Sequence, residues 1–203
     1  YDGHPKQEPG AVVCRVAPSF TRFGSFEIFS SRNEIEPLRQ LLDYTIRIDF
    51  PHLGEPSVAV YLQWFEELCR STAAMIVHWM RVGFVHGVMN TDNMSILGLT
   101  LDYGPFGFLD AYDPGFICNH SDYHGRYAFD RQPSIGLWNL TCLAQAMLPL
   151  LDADNGEAAA EQARDVLAGY EPALVDAYVS GMRAKLGLRD RDSRDQDLCA
   201  DLL

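Results

Sequence analysis

The sequence predicts an α+β fold that is mostly helical, and three observations carry that expectation. Apolar residues recur at helical spacing in several separate segments, a short apolar run near the start suits a strand, and a dense polar stretch at residues 86–110 interrupts the helical pattern. With 203 residues the chain can bury a sizeable core, so one domain or a large part of one is expected.

Taken in order, residues 1–10 hold two glycines and two prolines and read as a loop or frayed end. Residues 11–16 form an apolar run, with Arg15 inside it, that is short enough for a strand. Pro18 and Gly24 bracket a turn region. Residues 33–46 read as a helix with Asn33 as N-cap and Ile35, Leu38, Leu42 and Ile46 on one face. Pro51, Gly54 and Pro56 then break the chain. The clearest helix is 57–81, where Tyr61, Phe65, Leu68, Thr72, Met75 and Trp79 share a face, the pattern of a core helix. Residues 134–148 are apolar on nearly every side, which marks a buried helix. After an acidic break at 152–156, helices at 157–168 and 172–186 read as scaffold, the second with Pro172 in its first turn and Gly187 as a stop. The end, 191–203, starts in mixed charge and turns apolar, which suggests the start of a truncated segment.

Composition narrows the function. At 47% hydrophobic and 22% charged residues, the chain has the make-up of an ordinary globular protein. A formal charge of −12 argues against a nucleic-acid partner, because no basic stripe is available for backbone phosphates. No run of eighteen apolar residues and a polar start give no sign of a membrane helix or signal peptide, so no membrane partner and no secretion are expected. The five cysteines, Cys14, Cys69, Cys118, Cys142 and Cys199, lack any C-x-x-C pair and read as free, buried thiols of a reducing compartment. With only Lys6 and Lys185 as lysines, any phosphate site must rely on arginine and metal.

The stretch HGVMNTDNMSILGLTLDYGPFGFLD packs Asn90, Asp92, Asn93 and Asp102 into little sequence. Magnesium takes hard oxygen ligands, usually one or two protein groups plus phosphates and water. Asn93 and Asp102 are nine residues apart and can face each other if 96–101 includes a strand returning from a turn at Gly98. The kinase signature places Asn seven residues after its His, followed by Asp-Phe-Gly. Counting from His86 gives Asn93, and Asp102-Tyr103-Gly104 takes the place of Asp-Phe-Gly. The usual base position is Val88, which accepts no proton, so Asp92 is the nearest carboxylate for that role. His86, in apolar company, reads as a hydrogen-bonded brace rather than a base. Asn90 either orients Asp92 or caps a turn. A later cluster, residues 110–124, has histidines and carboxylates but no closed zinc spacing, and its Asp-Pro-Gly is a turn signal.

The run GFVHGVMNTDNMSILGLTLDYGPFGFLDAYDPGF resembles the selenoprotein O family, kinase-like proteins that transfer AMP, not phosphate, from ATP to protein hydroxyls. The resemblance continues through RVAPSFTRFGSFEIF and NHSDYHGRYAFDRQPSIGLWNL and covers at least residues 11–150. It implies that Asp92 accepts the proton, that Asn93 and Asp102 bind Mg2+ (Mn2+ being possible) and that Arg15 and Arg22 hold the phosphates of ATP. It implies a protein-kinase-like large lobe with the end of the small lobe, divided as 1–30, 31–190 and 191–203. Residues 110–124 then correspond to the activation segment. The partners it implies are ATP and proteins bearing Ser, Thr or Tyr; the compartment is the cytoplasm in bacteria or the mitochondrion in eukaryotes. No G-x-G-x-x-G and no strand lysine appear, so the phosphate-covering loop of a small lobe is missing from these residues. A γ-phosphoryl kinase and an ATP-binding pseudokinase scaffold are the rival readings.

Overall fold

A computed structural model of the chain describes residues 9–190 together with 192, 194, 195, 197 and 198. Among the described residues six α-helices carry the fold: α1 (Phe23–Ser31), α2 (Ile35–Asp49), α3 (Val58–Met80), α4 (Gln132–Leu151), α5 (Gly156–Leu167) and α6 (Tyr170–Leu186). Two short strands, β1 (Phe84–Val85) and β2 (Gly107–Phe108), pair antiparallel, with Phe84 opposite Phe108 and Val85 opposite Gly107. The fold class is α+β and mostly helical.

The longest helix, α3, is about 35 Å from end to end. It starts at Ser57, whose hydroxyl accepts from the Val60 N–H and so satisfies one of the free donors of the first turn. All six of its predicted core positions are buried, and α4, α5 and α6 pack around it. α1 lies against α4 and α2. Phe26 of α1 meets Trp64 of α3 with ring centroids 5.4 Å apart, and Phe50 meets the same Trp64 edge-on. Each large side chain buried this way contributes roughly 1.5–3 kcal/mol. Tyr61 joins α3 to α2 by donating to Asp43 Oδ1 at 2.5 Å; burial, and then the Asp43 carboxylate, push the tyrosine up to about 12.

The structure corrects several expectations. The strand expected at 11–16 does not form: Val12, Val13 and Val16 are 101%, 87% and 88% exposed, with no neighbouring strand to pair with among the described residues. The turn region after Pro18 holds the start of α1, whose sequence FGSFEIFSS is too rich in aromatic, Ser and Gly residues to announce a helix. Asn33 is not an N-cap; it sits at φ 56, in the connection between α1 and α2, and Glu34 caps α2 without a side-chain bond. No strand forms at 96–101. A single antiparallel bridge, Met94 to Thr100, closes the turn at Gly98, which takes φ 63. α4 is not buried all round, since Leu137 and Trp138 are exposed. By length and composition Phe129–Leu151 is apolar enough to cross a membrane, but half of that window is buried, as in a core helix.

Other expectations match. The face of α2 built from Leu38, Leu42 and Ile46 is buried, and Gly187 ends α6 in the left-handed region at φ 72. Of the four described cysteines, all free, Cys69 is buried and its thiol is pushed up to about 12 by that burial. Cys118 and Cys142 are only partly buried, and Cys14 is exposed. Cys199 and most of residues 191–203, expected to open a truncated segment, lie outside the described residues.

Candidate functional site

The pairing of β1 with β2 closes an excursion of the chain, residues 86–106, that carries most of the residues singled out above. The Leu109 N–H extends that closure by donating to Gly83 O at 2.9 Å. Two short stretches inside the loop face each other, a 3₁₀ turn at Thr91–Asn93 and the turn that follows Leu101.

His86 sets the spacing between them. It is fully buried; its Nε2 lies 2.7 Å from Leu101 O, and its Nδ1 accepts from the Val88 N–H at 3.3 Å. A ring that accepts at Nδ1 and donates at Nε2 is the neutral Nε2–H tautomer. Burial lowers its pKa, against the pull of the Leu101 carbonyl and the Asp102 charge. The sequence reading of His86 as a brace is therefore right, and the residue it holds precedes Asp102.

Arg22 ties the two sides together. Its Nη1 donates to Asp92 O at 2.8 Å and lies 2.6 Å from Asp102 Oδ2. The arginine is aimed there because its own backbone bridges Ser95, while the Phe23 N–H donates to Met94 O and the Ile96 N–H to Thr21 O. Asp102 itself is half exposed and takes φ 51, an uncommon conformation for a residue with a Cβ.

Asp92 is exposed, and its carboxylate lies over the first turn of α1, where a Cβ on Gly24 would overlap Oδ1. Asn93 donates from Nδ2 to Val88 O at 2.8 Å. That bond fixes the orientation of the amide and leaves the oxygen, the end a hard cation takes, accepting no hydrogen bond among the described residues. Arg15 stands apart from the others. It is exposed, with its guanidinium 5.7 Å from the Tyr103 ring centroid, beside a groove lined by Trp79, Phe84, Phe106 and Phe108. The structure thus brings Arg22, Asp92 and Asp102 together, with Asn93 on the same turn as Asp92, and leaves Arg15 at the edge.

Asn90 does not cap the 3₁₀ turn with its side chain; its Oδ1 is buried and has no hydrogen-bond partner among the described residues. Sequence reasoning passed over three further residues. Gln132 accepts from the His86 N–H at 3.0 Å and donates to Phe84 O at 3.0 Å. Asn139 donates to Met89 O at 2.9 Å, and Gly24 leaves room for Asp92. The available signal was slight: α4 is mostly apolar but carries three amide side chains, Gln132, Asn139 and Gln145, and nothing local marks the first two.

The donor set fits a hard divalent ion: an exposed carboxylate and an unengaged amide oxygen next to an arginine. Among the described residues no three His, Cys, Asp or Glu side chains converge, so such a site draws on Asn93 rather than on a carboxylate cluster.

The family model of protein adenylyltransferase SelO matches residues 1–203, the whole chain. The chain belongs to the SelO family. Its curated relatives agree. A protein nucleotidyltransferase YdiU of Pectobacterium carotovorum subsp. carotovorum is 54% identical over 204 residues, which cover 98% of this chain and 41% of the relative. Relatives of the same name from Myxococcus xanthus and Rhodopirellula baltica are each 52% identical, over 96% and 100% of this chain and 38% of each relative. This SelO-family chain therefore spans about two fifths of the length of the curated relatives it matches.

Proposed function

We propose that this chain is part of a protein adenylyltransferase that moves AMP from ATP to Ser, Thr or Tyr hydroxyls of proteins. The observation that carries the reading is Arg22, one guanidinium that joins the Asp92 backbone to the Asp102 carboxylate beside Asn93, in a chain of the SelO family. In this reading the residues form a protein-kinase-like large lobe over 31–190, preceded over 1–30 by the end of a small lobe that carries the two arginines. Residues 191–203 open the next segment of a longer protein. The proposed compartment is the cytoplasm if the protein is bacterial and the mitochondrion if it is eukaryotic.

Asn93 and Asp102 would hold Mg2+ or Mn2+, which when bound offsets negative charge on the phosphates. Arg22, already poised between the two loops, and Arg15, exposed beside Tyr103, neutralise the outer phosphates with planar, multi-donor groups. Asp92 takes the proton from the attacking hydroxyl. The new bond forms from that oxygen to the α-phosphorus, the α–β bridging bond breaks, and pyrophosphate leaves. General-base help of this kind is typically worth about 10²- to 10⁴-fold. His86 stays neutral and moves no proton; its part is to hold Leu101.

The test is incubation of this chain and of the full-length protein with α-labelled and, separately, γ-labelled ATP plus magnesium, followed by intact-protein mass spectrometry. An AMP-sized addition that carries only the α label is expected from the full-length protein. A phosphate-sized addition would replace this reading with a γ-phosphoryl kinase. ATP binding without any covalent product would replace it with a scaffold.

A further inference from the structure

Gln132 and Asn139 are both fully buried on α4, seven residues apart, which is two helical turns or about 10 Å along the axis. Both direct their amides at one short run of backbone. Gln132 accepts from the His86 N–H and donates to Phe84 O, the two groups that flank Val85. A neighbouring strand would pair with β1 in this way, and among the described residues β1 has a strand on one edge only, β2. The side-chain amide therefore stands in for a missing strand. Seven residues further on, Asn139 donates to Met89 O, three residues before Asp92.

Neither contact is cheap. Burying an amide costs free energy unless its groups are bonded, and Asn139 Oδ1 accepts nothing among the described residues. An apolar residue at either buried position would avoid that cost and pack in a helix that is mostly apolar, but it would leave the Phe84, His86 and Met89 backbone without these partners. The amides serve the loop rather than the helix.

We propose that Gln132 and Asn139 are positioning residues that hold the two ends of the segment 84–89, so that α4 fixes where Asp92 and Asn93 stand. The loop's chemistry rests on the adenylyl-transfer reading; the clamp itself does not. Gln132 holds the segment where His86 reaches across to Leu101, and Asn139 holds it where the chain turns into the 3₁₀ turn of Asp92. One rigid helix thus governs both the proton acceptor and, through His86, the placement of Asp102.

The test uses the full-length protein with Gln132→Met and Asn139→Leu, which keep the bulk and remove the amides. AMP transfer is expected to fall by about tenfold or more at saturating ATP, since small misplacements of reacting groups carry large rate costs. Affinity for metal-free ATP, by calorimetry with a chelator present, is expected to change by less than about threefold, because without the metal the phosphates rely on arginines from another segment. Amide hydrogen exchange at Val88 and Asn93 should speed up while the amides of α3 and α6 keep their protection. Transfer at the parent rate would overturn the proposal. So would faster exchange spread evenly over the helices, which is the mark of plain destabilisation. If the unsubstituted protein transfers no AMP, the adenylyl-transfer reading fails, and the exchange data still decide the clamp.

Discussion

Residues 58–80 and residues 86–106 are similar in length and are held in different ways. In α3, Tyr61, Trp64, Phe65, Leu68, Ile76 and Trp79 are buried against the neighbouring helices, and no single contact decides where the helix lies. The loop buries Met89, Met94, Ile96 and Leu101, but it takes its shape from individual bonds: His86 to Leu101, Asn93 to Val88, Gln132 to Phe84, Asn139 to Met89 and Arg22 across the middle. Area is redundant and a single hydrogen bond is not. Damage to the frame should therefore be read as lost stability, whereas damage to the loop should be read as lost chemistry in a protein that still folds.

The sharpest break is Asp102→Ala in the full-length protein. Losing a proposed metal ligand removes several kcal/mol of transition-state stabilisation, so AMP transfer should drop by more than about 10³-fold with the melting temperature nearly unchanged. Retention of substantial transfer would show that the metal is held elsewhere. The counterpart in the frame is Trp64→Ala, which should cost about 3–5 kcal/mol in urea unfolding of this chain. A cost below about 1 kcal/mol would mean that Trp64, though fully buried between Phe26 and Phe50, does not anchor the core.

Gly24→Ala separates the two kinds of damage within one substitution. A Cβ there would overlap Asp92 Oδ1, so the carboxylate must move and transfer should fall by about 10²-fold. The same change favours the helix by up to about 1 kcal/mol, so thermal stability should hold or rise. Loss of both together would count against the separation. The smallest effect is on pH dependence. Burial lowers the His86 pKa in the fold, while the unfolded residue titrates near about 6.5. The unfolded state therefore binds the extra proton first. Stability from this residue is whole above about pH 6.5 and is lost as pH falls through and below it. Comparing His86→Gln with the parent by urea unfolding, the parent's stability should fall more steeply with acid, by up to about 1.4 kcal/mol per pH unit. Equal slopes would mean that His86 is protonated in the fold.

The frame was legible because helical periodicity is a property of the chain's own spacing: α3 and the buried face of α2 follow it closely. α1 was not, since Phe23, Gly24 and Phe26 gain their helical state from packing on α4 rather than from propensity. The strand expected at 11–16 failed for the converse reason, that a strand needs a neighbour and none stands beside Val12 and Val13 among the described residues. The acidic loop residues could be named from chemistry and motif. Their supports, Gln132 and Asn139, lie some forty to fifty residues away in the chain from the backbone they hold, and no local pattern in the sequence joins them.

Arg22 also bears on how such an acidic chain assembles. With a formal charge of −12, bringing the Asp92 and Asp102 loops to one spot concentrates self-repulsion where the fold has little apolar area to oppose it. A guanidinium supplied from the threshold of α1 is an internal counterion for that spot. The two loops can then settle at working distance during folding, and under the proposed function the arrival of a nucleotide would be an exchange of partners for Arg22 rather than a construction of the site.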